Sequence, residues 1–385
     1  MRIAILNYMK PGDNLGGPRG YLYNLLTGFE SIGVKQPDVL YVLTDPLTNV
    51  SSSQKSKKKS FFLRPFLSIY KKGHLMKKKL GKKIAEYDCI HAQSIEDCYC
   101  LRHTLKYKGK IILTNHNPEP LFGERIGETK KGFKSFILRK LFNRVEAKAY
   151  KYANAYIFPS PMAMSIYNAF PGFKKYSRGK PVDFVITGAK KKEVSINSRF
   201  FREKYGLTSD DYLVSFIGRH NYIKGYDRLI DSFDIIKKEG CKVIVAGSKA
   251  SEYSYPNDDD WKELGYITDA HNLIAASDLL VVPNRNTYFD LIIIEALSCG
   301  RIVLSSNTGG NIDISKTAEG LVLFDNNDNS DLARRIIEIK EYSDEKRKKL
   351  ERSNSEYYVN HCTIEQFATN YNKALTSICD ELFKQ

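Results

Sequence analysis

The 385-residue sequence predicts an α/β protein made of two doubly wound, mostly parallel sheets. Three observations lead there. A chain of this length accommodates two domains of roughly 150–200 residues. Short apolar runs alternate with stretches of helical periodicity through both halves, the pattern of strand–helix–strand units. A polar stretch, Ala189 to Arg199 (AKKKEVSINSR), separates the two series and reads as a hinge. The expected domains are residues 1–190 and 191–363, with a terminal helix, 364–385, packing back on the first.

Composition narrows the class. Hydrophobic residues make up 42% of the chain, enough for each half to bury its own core. The seven cysteines form no C-x-x-C pair and read as reduced, structural thiols of a cytosolic protein. The opening MRIAILNY is too short for a signal peptide, and no apolar run is long enough to span a bilayer, so a soluble or peripheral protein is expected. Charge is uneven: residues 1–190 carry a net +21 and the remainder −5. The first half is therefore expected to face something anionic.

In the first half, Ile3 to Tyr8 reads as a buried strand. The glycine-rich loop KPGDNLGGPRG follows, then a helix with Leu22, Leu25, Leu26, Phe29 and Ile32 on one face. Such a loop presents backbone N–H groups to phosphate, although Gly16, Gly17 and Gly20 match neither G-x-G-x-x-G nor a P-loop, and a plain turn fits equally well. Val39 to Leu43 is a second strand. Lys55 to Lys83 then holds twelve Lys or Arg and no acid, interrupted by Phe61, Phe62, Leu63, Phe66, Leu67, Ile69 and Tyr70. Three readings compete: contact with an anionic membrane surface, a solvated insertion whose apolar residues join the core, and nucleic-acid binding. The pairing of Phe–Phe–Leu with Lys–Lys–Lys favours the membrane, through Lys57, Lys58, Lys59, Phe61, Phe62, Arg64, Phe66, Lys77, Lys78 and Lys79. No RNA- or DNA-binding signature supports nucleic acid. Tyr87 to Gln93, Ile111 to His116 and Ala155 to Pro159 are further strands. His116 follows its strand directly, on the edge where open α/β sheets bind ligands, or is an ordinary loop histidine.

In the second half, Tyr212 to Ile217 is a strand, and Gly218 and Gly225 bracket a loop holding Arg219 and Lys224. Two cations on one glycine-bounded loop suit a diphosphate, Arg by its fork and Lys as a point charge. Lys242 to Gly247, Leu279 to Val282, Ile302 to Ser305 and Leu321 to Phe324 are the next strands. The chain is organised around the stretch Val281 to Gly300 (VVPNRNTYFDLIIIEALSCG): an apolar run, a polar loop, and a short apolar helix carrying Glu295. That carboxylate is either ion-paired or solvated, or it hydrogen-bonds ligand hydroxyls near a helix N-terminus that favours phosphate. Ile364, Phe367, Tyr371, Leu375 and Ile378 give the last helix one apolar face.

Taken together these segments resemble the GT-B glycosyltransferases of family 4, over nearly the whole chain. Gly16–Gly17 is similar to that family's N-terminal double-glycine loop, and His116 to its histidine after a first-domain strand. Gly218–Arg219 to Lys224–Gly225 resembles its G-R…K-G phosphate motif. Pro283, Phe289, Leu291, Glu295, Ala296 and Gly300 resemble the signature around its paired glutamates, and Asn307 to Gly310 its GG loop, with Asp313 where Glu is usual. Two positions depart: Thr287 stands where the first glutamate belongs, and Asp290 replaces the usual glycine.

The resemblance implies two Rossmann-like domains facing a cleft. It implies a nucleotide-diphosphate sugar donor, such as a UDP- or GDP-sugar, a saccharide or lipid-linked acceptor, retention of anomeric configuration, and no cofactor or metal. It assigns Gly17, Arg219 and Lys224 to the diphosphate. Gly218, Gly265, Tyr266, Ile267, Thr287, Phe289, Leu291 and Glu295 would surround nucleoside and sugar. His116, Asp290 and Glu295 are the candidate catalytic residues; either Asp290 supplies the carboxylate that Thr287 lacks, or the donor sugar differs from the common hexoses. The expected setting is the inner face of the cell membrane, in polysaccharide or glycoconjugate synthesis. The alternatives are a non-catalytic sugar-nucleotide-binding subunit and a nucleic-acid-binding α/β protein.

Overall fold

The computed structural model describes residues 1–12, 17–43, 62–127, 130–248 and 253–384. The chain divides into two compact units. The first comprises Met1–Pro159, Met164–Val185 and Ala368–Gln385; the second, Ser160–Ala163 and Ile186–Phe367.

Among the described residues the first unit holds six parallel strands: β1 (Ile3–Met9), β2 (Asp38–Leu43), β3 (Cys89–Ala92), β4 (Lys110–Leu113), β5 (Ala155–Phe158) and β6 (Val182–Phe184). They lie in the order β2-β1-β3-β4-β5-β6. Every residue of β3 and β5 is buried. Helices cover both faces of a parallel sheet, so its strands are written as uninterrupted apolar runs. The helix Gly17–Ser31 buries Tyr21, Leu22, Leu25 and Phe29.

The basic stretch folds, from Arg64 to Leu80, into a helix with one inward stripe: Phe66, Ile69, Gly73, Met76 and Leu80. Phe66 meets Phe142 edge-on, with ring centroids 5.7 Å apart. This corrects the expectation that Phe66 touches a membrane; at the i, i+3, i+7 spacing of the buried stripe it is a core residue. Lys72 also turns inward. Its ammonium lies 2.8 Å from Asp97 and 3.1 Å from Glu96, at the start of the helix Ile95–His103. Burial alone would lower the Lys72 pKa; the two carboxylates, Asp97 foremost, reverse that and raise it. Lys57, Lys58, Lys59 and Phe61 lie outside the described residues.

The second unit repeats the plan with β7 (Tyr212–Ile217), β8 (Cys241–Ala246), β9 (Trp261–Glu263), β10 (Leu279–Val282), β11 (Val303–Ser306) and β12 (Leu321–Phe324). These strands are parallel, in the order β12-β11-β10-β7-β8-β9. The start of the expected hinge is fixed within this unit. Ala189 is buried, its N–H donates to Cys362 O (3.0 Å), and its carbonyl accepts from the Tyr358 hydroxyl (2.8 Å).

The last helix, Ile364–Phe383, buries Phe367, Tyr371, Leu375 and Ile378 at the expected spacing. From Ala368 onward it belongs to the first unit. There the Tyr371 hydroxyl lies 2.7 Å from Nδ1 of His91, on β3.

Candidate active site

In the second sheet β7 and β10 are neighbours, and the chain proceeds from them to opposite edges. The loops leaving their carboxyl ends flank the point where open α/β sheets hold ligands. They are Gly218–Gly225 after β7 and Pro283–Asp290 after β10.

The two loops meet closely. Gly225 adopts a left-handed conformation (φ 65°), and a Cβ there would lie 1.9 Å from the carbonyl oxygen of Pro283. Only glycine meets both conditions without strain. Lys224, beside it, donates from Nζ to Asp290 Oδ1 at 2.6 Å. The other oxygen, Oδ2, accepts from the Thr287 hydroxyl at 2.5 Å and from the Asn284 amide. A brace holds the same loop from outside, where the Arg285 guanidinium forks onto both oxygens of Asp227, each at 2.7 Å.

The Asn307–Gly310 segment after β11 closes on this loop. Gly309 (φ 54°) packs against the Thr287 carbonyl, where a Cβ would stand 1.9 Å away. Gly310 packs against the Phe289 ring. On the other side, Gly218 approaches Gly247, and the Gly247 N–H donates to the Gly265 carbonyl (2.8 Å). Five strand-end loops, those after β7, β8, β9, β10 and β11, are thus gathered by glycine contacts.

Lys224, Thr287, Asp290 and the loop glycines come together as sequence spacing alone could not show. Arg219 is exposed, and its guanidinium makes no ion pair among the described residues. Glu295 is half-buried on the helix Leu291–Ser298, which starts at half-buried Leu291 directly after Asp290. Gly265 takes φ 70° after β9, Tyr266 is exposed and Ile267 packs on the core. Asn284, 1% exposed, was missed. Its signal was a polar residue directly after the β10 run and Pro283.

Two predicted residues belong to the first unit. Gly17 opens its helix with φ 63° and open space where a Cβ would stand, while Gly16 lies outside the described residues. His116, past β4, has Nε2 2.8 Å from Gln93 Oε1 and its ring 4.5 Å from that of Tyr21. Desolvation pushes its pKa down to about 3, so the imidazole is neutral at pH 7.

On the basic helix, Arg64, Lys77, Lys78 and Lys79 point outward, and Phe62 is half-buried under Lys134 (6.0 Å from its ring centroid). That contact brings in a second cationic element that sequence reading passed over. Residues 130–144 hold six Lys or Arg and no acid, with Phe133 and Phe136 exposed at 78% and 54%.

Among the described residues no cluster of three or more His, Cys, Asp or Glu could hold a metal ion, and no helix is long and apolar enough to cross a membrane.

Comparison with known proteins places this architecture. Residues 197–356 match the family model described as glycosyl transferases group 1. Glycogen synthase from Thermodesulfovibrio yellowstonii is 32% identical over 157 residues, 37% of this chain and 30% of that protein. The chain spans about a third of the length of the first curated relatives it matches. Solved structures align over almost the full length. Sucrose-phosphate synthase from Thermosynechococcus elongatus superposes with a TM-score of 0.73 at 16% identity, covering 99% of each chain. The Anabaena protein HepE, in complex with UDP and glucose, gives 0.66 at 17% identity, covering 98% of this chain and 100% of that one. Residues 197–356 are therefore a glycosyl transferases group 1 domain, and the chain that carries them has the two-sheet fold of the GT-B glycosyltransferases.

Proposed function

We propose that this chain is a glycosyltransferase that moves a sugar from a nucleotide-diphosphate donor to a saccharide or lipid-linked acceptor, with retention of configuration and without a metal. The observation that carries the reading is the position of Arg219 and Lys224, on the loop after β7 at the switch point of the second sheet. The group 1 match over residues 197–356 and the UDP held by the HepE neighbour support the same ligand class.

In this reading Arg219 and Lys224 hold the diphosphate. As the bond from the anomeric carbon to the diphosphate oxygen breaks, negative charge builds on the leaving group, and the acceptor oxygen bonds to that carbon on the same face while its proton passes to the departing diphosphate. Fixed cations aimed at developing charge commonly make the largest contribution to such a reaction. Glu295 takes the ribose hydroxyls, and Gly265 to Ile267 line the base. Thr287, Phe289 and Leu291 border the sugar. In the first unit, Gly17 and neutral His116, whose Nε2–H donates to Gln93 Oε1, are the residues that the family resemblance assigns to ligand contact. The outward cations Arg64, Lys77, Lys78 and Lys79, with exposed Phe133 and Phe136 nearby in sequence to Lys134, suit the headgroup layer of an anionic membrane. The reaction then belongs on the inner face of the cell membrane, in polysaccharide or glycoconjugate synthesis.

A second reading rests on Thr287 and Asp290, the two departures from the family pattern: a subunit that binds sugar nucleotides without turning them over. Thermal-shift measurements against UDP, GDP, TDP, CMP and their sugar conjugates, with and without EDTA, test both. Selective stabilisation that survives EDTA, followed by turnover with a lipid-linked acceptor, supports the transferase. Binding without turnover supports the subunit, and no binding overturns both.

A further inference from the structure

We propose that Asp290 is a resident counter-ion of the diphosphate site, holding Lys224 in the free protein until the donor's diphosphate takes its place. The proposal rests on the donor-binding reading above and adds to it what holds the Lys224 ammonium before the donor arrives.

The backbone first shows what Asp290 is not doing. It is the residue before the helix Leu291–Ser298, with extended φ −88° and ψ 120°, where an aspartate side chain ordinarily accepts from the first helical N–H groups. Here the side chain makes no such bond. It turns away to Lys224, 66 positions earlier in the chain.

Every group that fixes the carboxylate is a donor. Lys224 Nζ takes Oδ1; the Thr287 hydroxyl and the Asn284 amide take Oδ2. Thr287 and Asn284 are 2% and 1% exposed, so these donors are held for an anion. A phosphate oxygen meets the same ammonium, hydroxyl and amide without rebuilding the loop. The side chains of Lys224 and Asp290 are 25% and 13% exposed, so the pair is shielded enough to resist displacement by a weak competitor. Exposed Arg219 gives an arriving phosphate its first contact.

An incoming anion has to replace one carboxylate on Lys224. A diphosphate spans two cations with two phosphates and can hold Arg219 while it takes Lys224. A monophosphate has one group to offer, and gains less after breaking the pair. Asp290 thus lowers the affinity of every anion that takes Lys224 by one and the same displacement cost, and once released it is free to accept a hydrogen bond from the transferred sugar.

Calorimetric titration of wild type, Asp290→Asn and Asp290→Ser with UDP, GDP, UMP and GMP tests this. Asparagine keeps the size and lifts the charge. Both variants are expected to bind nucleoside diphosphate about tenfold more tightly, and monophosphate by the same factor where it takes Lys224 or a smaller one where it stays on Arg219. A purely structural role for Asp290 would weaken binding of every nucleotide. Equal or weaker diphosphate binding by both variants, beside a wild type that binds, overturns the counter-ion role and leaves the donor site standing. If no nucleotide binds wild type or variants, the donor-binding reading falls and this inference with it.

Discussion

The Tyr371 hydroxyl donates a hydrogen bond to Nδ1 of His91, 2.7 Å away, and thereby fixes the proton on that imidazole. The chain of donors settles the tautomer. Thr114 gives its one hydroxyl proton to the Ile157 carbonyl (2.9 Å), so it must accept from Nε2–H of His91 (2.8 Å), which leaves Nδ1 as the acceptor for Tyr371. The relay is buried throughout. Tyr371→Phe leaves a buried acceptor unpaired and is expected to cost about 1–3 kcal/mol, read as a lower denaturation midpoint at unchanged slope.

The same histidine gives a pH dependence. Burial, and secondarily the charge of His116, holds the His91 pKa down at about 3, against 6.5 for the free side chain; burial does the same to His116. The unfolded chain therefore binds protons below 6.5 that the folded chain refuses. The stability contributed by both neutral rings is complete above 6.5 and is lost as pH falls from there toward 3, at up to about 1.4 kcal/mol per pH unit for each ring. Denaturation curves from pH 7 to pH 4 should show this fall, and His116→Gln should make it shallower.

The basic helix has two faces with separable consequences. Phe66→Ala removes a core aromatic and is expected to cost about 3–5 kcal/mol, with membrane affinity in the folded protein unchanged. Replacing Lys77, Lys78 and Lys79 by Ala touches exposed residues. Stability should hold, while affinity for anionic vesicles falls by about 1 kcal/mol per lysine removed. Vesicle sedimentation beside thermal melting distinguishes the two, and unchanged sedimentation of the triple variant would remove the docking role.

Glycine is required where the strand-end loops touch. Gly225→Ala puts a methyl against the Pro283 carbonyl at a left-handed φ, and Gly309→Ala does so against Thr287. Each is expected to destabilise the second unit by at least about 1–3 kcal/mol. Gly206→Ala serves as control: its φ is 73°, but nothing lies within 4 Å of the added carbon. It should show only the smaller conformational cost in a melting experiment.

Charge removal at the proposed donor site gives a direct test of ligand assignment. Arg219→Met and Glu295→Gln are each expected to weaken binding of the preferred nucleoside diphosphate by roughly 10- to 100-fold, the range for lost hydrogen bonds to charged groups. Because Arg219 is exposed, its replacement should leave the melting temperature nearly unchanged. Unaltered affinity in both variants would place the diphosphate elsewhere.

The sheets were legible because parallel strands are buried on both faces. CIHA, AYIF and LLVV stand out as short runs with helical periods between them, and each is a strand. The loop Gly218–Gly225 was legible for its glycines and cations. The occupation of Lys224 by Asp290 was not, because it joins residues 66 positions apart through a geometry that neither local pattern encodes. Phe66 was misplaced for a related reason: in a stretch of twelve cations, composition hides the one stripe of Phe66, Ile69, Met76 and Leu80 that faces inward. The exposed Phe133 and Phe136 escaped notice because exposure belongs to the folded surface and has no local signature.

The return of residues 368–385 to the first unit sets an order of events during synthesis. Residues 186–367 are contiguous and can close their core as soon as they leave the ribosome. The first unit, though begun earlier, has to wait with the His91 side of its sheet uncovered until Tyr371 emerges, after the whole of residues 186–367. Vectorial synthesis ordinarily lets the N-terminal domain finish first. Here the order of completion is reversed, and a chain cut back to end at residue 367 is expected to present a protease-resistant second unit beside a protease-sensitive first one.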